Sequence, residues 1–164
     1  MRTFPTLLLA GALLLHALPS PADPMSMFEG ASQGRGDLTL GLGHAKPYTV
    51  DNLGRRDADG TLRLHQVVHM AGEPDRSRDW VIHPAGNGTY TFTLSDASGP
   101  GVATVEGARL SLRYAPHPGM RMRQVLELSP DGTTLSNTGR ISLLGSPIGH
   151  LDEMIVRTGV AAKR

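Results

Sequence analysis

The sequence predicts an all-β chain, folded as one closed antiparallel barrel. Three observations predict it. From Phe28 onward no window of roughly 11 residues carries a 3.6-residue apolar period. Short segments alternate polar and apolar residues instead, the period of a half-buried strand. Turn signals rich in Gly, Pro, Asp and Asn divide those segments at close intervals. Connections this short make sequence neighbours antiparallel neighbours in space. A meander of about ten strands must hide its edges, and closure is the simplest way. The expectation is an up-and-down, lipocalin-like β-barrel of about 8–10 strands behind an N-terminal signal peptide.

Residues 1–22 read as that signal peptide. Arg2 gives a positive start, 7–18 is apolar apart from His16, and Ser20 and Ala22 are the small residues a signal peptidase reads. The apolar run is about a dozen residues, and a membrane-spanning helix needs roughly 20. Cleavage would leave residues 23–164 as a single domain in the periplasm, with no membrane anchor. Residues 23–27 read as a flexible lead. The strand candidates are 36–43, 47–56, 61–70, 78–84, 88–95, 101–105, 108–115, 120–129, 133–144 and 147–157. The turns between them include ADGT (58–61), AGEPDRS (71–77), AGNG (85–88), SDASGPG (95–101), VEGA (105–108), PHPG (116–119) and SPDG (129–132).

Composition narrows the function classes. The 164 residues hold 16 Lys+Arg, 15 Asp+Glu and no cysteine, for a net charge of +1. That balance gives no electrostatic reason to expect nucleic acid or an anionic membrane as partner. The absence of cysteine removes disulfides, thiolate metal sites, a cysteine nucleophile and a lipid-modified cysteine.

The informative residues are polar ones in the apolar register. Gln66 shares a strand face with Leu62, Leu64, Val68 and Met70. Gln124 stands among Met120, Met122, Leu126 and Leu128. Asn137 joins Leu135 and Ile141, Arg78 joins Trp80 and Ile82, and Glu153 lies between Leu151 and Ile155. A solid core would not tolerate them, since a buried amide without a partner costs roughly 1–3 kcal/mol. They either satisfy one another or face a lumen holding water or ligand. The predicted ligand-binding set is Gln66, Arg78, Trp80, Tyr90, Tyr114, Gln124, Asn137 and Glu153, with Met70, Phe92, Met120 and Met122 as further apolar wall.

With these residues in place, the chain resembles a bacterial envelope family known as domain of unknown function 3833. The matching pieces run in order: Phe28-Glu29-Gly30, Gly36, Gly54, Asp59-Gly60-Thr61-Leu62, Arg78-Asp79-Trp80, Tyr90, Asp96 with Gly99, Gly107, Leu112-Arg113-Tyr114, Leu135-Ser136-Asn137, Gly145 and Glu153. The resemblance implies a lipocalin-like envelope barrel connected with membrane lipids, with Arg78, Trp80, Tyr90 and Asn137 inside. The chain departs from the family pattern in lacking an acylated cysteine. It also carries Gln66 and Gln124 near positions where relatives tend to be acidic.

No catalytic or metal constellation is complete. His65 and His69 are about 13 Å apart along a strand, too far to share one ion. No G-x-S-x-G elbow occurs. No cofactor, metal or nucleic-acid partner is expected. The predicted function is a periplasmic binding protein for a small amphipathic or lipid-like ligand in the lumen. The alternatives are an isomerase or hydrolase of a lipid-like substrate, using Arg78 and Glu153 as an ion pair across the lumen, or an envelope interaction module contacting partners through loops 71–77 and 116–119.

Overall fold

Period-two patterning becomes strands through most of residues 23–158, which a computed structural model describes. The predicted signal peptide lies outside those residues. The strands are β1 (Gly30–Leu40), β2 (Lys46–Arg56), β3 (Leu62–Met70), β4 (Arg76–Gly86), β5 (Thr89–Leu94), β6 (Gly101–Glu106), β7 (Arg109–Tyr114), β8 (Met120–Leu128), β9 (Thr134–Leu143) and β10 (Ser146–Arg157). Each pairs antiparallel with its sequence neighbours, and β1 pairs with β10, so the ten strands close into a lipocalin-like up-and-down barrel. Closure leaves no edge for another chain to extend.

Turn chemistry follows the sequence. Asn87 and Gly88 both take positive φ, 51° and 70°, as a two-residue hairpin loop requires. At the 57–61 turn, Asp59 Oδ1 accepts from Thr61 N at 2.9 Å. That local bond replaces a ladder partner the turn cannot supply.

The first two elements differ from expectation. Strand β1 covers 30–40 rather than 36–43, because its ladder to β10 begins at Ser32 and ends at Leu40. Three glycines and polar Ser32, Gln33, Arg35 and Asp37 hide its alternation from any reading based on apolar residues. The expected flexible lead is an ordered 3₁₀ helix, Pro24–Phe28. Asp23 caps it by accepting from Met25 N at 2.9 Å, and Pro24 sits where its missing N–H costs nothing.

Met25, Met27 and Phe28 are all buried and belong to the main core, so this helix plugs one end of the barrel. Side chains from both sides hold it. Arg157 Nη2 donates to Ser26 O, and Arg56 Nε donates to Glu29 Oε1 at 2.7 Å. Glycine at 54 makes room, since a Cβ there would overlap the Phe28 carbonyl oxygen. Beside the plug, Leu62, Ile82, Phe92, Leu110, Leu128 and Leu135 fill the barrel's lower end. Trp80, Phe92 and Tyr114 stack with centroids 5.2–5.9 Å apart, two of the three pairs edge to face. The opposite end carries the 41–45, 71–75, 95–100, 115–119 and 144–145 connections.

Candidate functional site

Above the plug the barrel encloses a cavity of about 580 Å³. Small-molecule sites typically fall between about 300 and 1,000 Å³. Its floor includes Met25 and Phe28, and its walls include Leu64, Ile82, Leu110, Leu126, Ile141 and Ile155. The lining continues to Gly43, His44, Glu73, Pro74 and Asp96 in the loops of the unplugged end, which is therefore the mouth.

Polar side chains cross this apolar wall as two hydrogen-bonded rows. Strand register creates the first, because Asn52, Gln66 and Arg78 are direct partners across β2, β3 and β4. Gln66 Nε2 donates to Asn52 Oδ1 at 2.8 Å. Gln66 Oε1 accepts from Arg78 Nε at 2.6 Å and from Trp80 Nε1 at 3.3 Å. The guanidinium also lies 5.9 Å from the centroid of the Trp80 ring. One amide thus joins three neighbours, which is why a glutamine stands in that row.

The second row runs across β8, β9 and β10. Gln124 Nε2 donates to Asn137 Oδ1 at 3.3 Å, and Asn137 Nδ2 donates to Glu153 Oε2 at 2.8 Å. The other carboxylate oxygen, Glu153 Oε1, is shut away from solvent and accepts no hydrogen bond of ordinary geometry among the described residues, with the Tyr48 phenol nearby. Glycine at 34 makes space for it, since a Cβ there would overlap that oxygen. Burial pushes the Glu153 carboxyl above its ordinary value, with smaller opposing pulls from Asn137, Arg78 and Tyr48. Burial, reinforced by the Glu153 charge, also raises the Tyr48 phenol well above its ordinary value. Tyr114 shifts upward through burial too, against the pull of Arg78.

The Glu153 shift sets a pH dependence. Folding favours the neutral acid, so its stabilising contribution is complete below the ordinary value of 4.5 and is lost as pH rises through the raised folded value. Glu153→Gln keeps the acceptor for Asn137 and removes the charge. Thermal melts across pH should show a flatter fall for this variant as pH rises above 4.5, and a gain of about 1 kcal/mol at neutral pH. Parallel curves for the two proteins would refute the assignment.

Of the predicted ligand-binding set, Gln66, Arg78, Trp80, Tyr114, Gln124, Asn137 and Glu153 line the cavity, and so do Met70 and Met122. Tyr90 does not. It faces inward on β5 but packs, half-buried, against the core near the plugged end, opposite Pro84 and Ala103. Phe92 and Met120 also stand off the cavity wall. The Arg78–Glu153 ion pair of the alternative enzyme reading does not form. Arg78 bonds Gln66 and approaches Asp96 at 4.0 Å, while Glu153 bonds Asn137. Each has a cross-strand partner nearer than the opposite wall.

Sequence reasoning missed Tyr48, Asn52 and Ser32. Tyr48 and Asn52 share the inward face of β2 with Val50, a signal present in PYTVDN (47–52). Ser32 is buried opposite Asn52, in the part of β1 that was not expected to be strand. Outside the barrel, His65 pairs with Asp79 at 2.7 Å, and His69 bridges Asp51 and Asp75 at 3.0 and 2.8 Å.

The fold defines a lipocalin-like barrel, and its internal cavity has the volume of a small-molecule site. No protein-family model matches the chain, and a search of curated proteins finds no match. Solved structures do match. An S-type phycobiliprotein lyase, CPES from Guillardia theta, superimposes with a TM-score of 0.65 at 9% identity, over 82% of this chain and 90% of that one. Rv2717c from M. tuberculosis superimposes with a TM-score of 0.63 at 19% identity, over 82% of this chain and 94% of that one. At these identities the likeness shows the shared barrel.

Proposed function

We propose that the protein is a periplasmic carrier that holds one small amphipathic, lipid-like molecule in its lumen. The observation that carries the reading is the cavity itself, about 580 Å³ of largely apolar lumen crossed by two polar rows and reached from one end. A ligand hydroxyl or amide can meet Gln66, Arg78, Gln124 or Asn137, all of which line that lumen. Apolar wall on both sides of the polar rows suits a ligand with one polar group and a hydrocarbon chain. Export rests on the charged, apolar and small-residue pattern of 1–22. Membership in the envelope family named above belongs to the same proposal, supported by the order of its matching pieces.

Trp80 is the chain's one tryptophan and lies on the cavity wall, so its fluorescence reports occupancy. Titration with a monoacylglycerol should give a saturable change. Gln124→Leu removes one lining amide and should weaken binding about fivefold, the equivalent of one hydrogen bond (~1 kcal/mol). Native mass spectrometry of purified protein should show a co-purifying adduct of lipid mass. No saturable change, together with no adduct, would overturn the carrier reading.

A further inference from the structure

The net charge of +1 conceals an uneven distribution. Arg113 of β7 stands directly opposite Arg123 of β8, which stands directly opposite Arg140 of β9. His150 of β10 continues the row beside Arg140. Arg121 lies two positions from Arg123 on the same outward face, and all five side chains are exposed. Among the described residues none of the four arginines makes an ion pair. Glu127, the acid farther along β8, is held by Arg109 at 2.6 Å. Asp152 of β10 faces outward opposite Thr138 and reaches none of them. Like charges set directly opposite in a sheet are destabilising, so folding alone gives no reason for this row.

A second, independent feature adjoins it. Arg121, Arg123 and Arg140 share a surface groove with Leu144, Gly145 and Pro147 of the β9–β10 hairpin. Leu144 is 84% exposed and sits at φ 49°, a left-handed conformation that favours Gly or Asn over a bulky residue. At the neighbouring hairpin, Leu42 is fully exposed. Both hairpins belong to the mouth of the barrel.

We propose that this side of the mouth docks onto an anionic lipid bilayer. The arginine row supplies charge complementarity to anionic headgroups, and Leu144 and Leu42 enter the acyl boundary. The spacing fits, because Arg140 lies about 10 Å along the strand from Leu143. Interfacial elements sink about 5–10 Å, and arginine stems reach toward the headgroups from there. Exposed leucines gain nothing on a nucleic-acid duplex, and no aromatic side chain joins the patch to stack on bases. The docked pose turns the mouth toward the bilayer.

Co-sedimentation with vesicles tests the proposal. The purified protein should bind phosphatidylglycerol-containing vesicles at low salt, release them as salt rises, and bind pure phosphatidylcholine vesicles at least tenfold more weakly. The triple variant R121Q/R123Q/R140Q should bind about a hundredfold more weakly, about fivefold per arginine (~1 kcal/mol each). It should also melt no lower than the parent, since it removes like-charge pairs. Leu144→Asn, which accepts the left-handed backbone, should keep the fold and weaken binding about tenfold. Equal binding to both vesicle types, an unchanged triple variant, or preference for a DNA duplex over vesicles would overturn the proposal. The lumen takes no part in this assay, so its failure would leave the carrier reading standing.

Discussion

Gln66→Leu is expected to lower unfolding stability by about 3–5 kcal/mol, the largest single-residue loss in the polar wall. Leucine matches the volume but serves none of the three partners. Arg78 Nε, Trp80 Nε1 and Asn52 Oδ1 would all lose their bond to residue 66. The guanidinium is the costly member, because its side chain is only 26% exposed and the Asp96 carboxylate is 4.0 Å away. Gln66→Glu separates polarity from shape. It keeps the acceptor for Arg78 and Trp80, and Asn52 can turn its partnerless Nδ2 toward the new carboxylate. That variant should lose no more than about 1 kcal/mol at neutral pH. Urea unfolding with an unchanged m-value measures both. A Gln66→Leu protein as stable as the parent would mean that the row is solvated rather than self-satisfied.

Gly54→Ala should open the plugged end. The added methyl group collides with the backbone oxygen of Phe28, which no rotamer change can move aside. The helix would have to leave the barrel end, exposing Met25, Met27 and Phe28. Each buried side chain of this kind is worth roughly 1.5–3 kcal/mol, an upper bound because unfolded chains already bury part of their surface. A net loss of about 3 kcal/mol is expected, with faster amide exchange at residues 25–28 and weaker monoacylglycerol binding. Met25→Ser with Met27→Ser should reproduce the loss without touching the strand. Full stability in both proteins would show that the plug is not part of the core.

Much of this was legible beforehand because strands write their inward face directly into the sequence. Gln66, Arg78, Gln124, Asn137 and Glu153 each interrupt an apolar row at the right parity, and each lines the cavity. Tyr90 has the right parity as well and misses the cavity. Parity selects a face and says nothing about height along the barrel, and Tyr90 lies too near the plugged end. Strand β1 escaped for a different reason. Its inward positions are Ser32, Gly34 and Gly36, small residues that make room for Glu153 and the neighbouring backbone, so no apolar beat marks them.

Pairing across strands was decided by register alone. Arg121 and Arg123 are visibly alternate, yet nothing in the chain order sets Arg113 and Arg140 beside Arg123. The hydrogen-bond partners of Arg78 and Glu153 were likewise set by which residue lies opposite. A slip of two positions would preserve every inward face and change every partner.

Taken by itself, the sequence determined the all-β class, the antiparallel order, an approximate strand number and the inward face of most strands. Alternation and turn chemistry are local properties, readable within a few residues. Only the tertiary structure decided the register in which β1 meets β10, the plug under the barrel, the two polar rows and the outward line of arginines. Those depend on contacts between residues distant in the chain, and the free energy that selects them comes from packing and pairing once the barrel has closed.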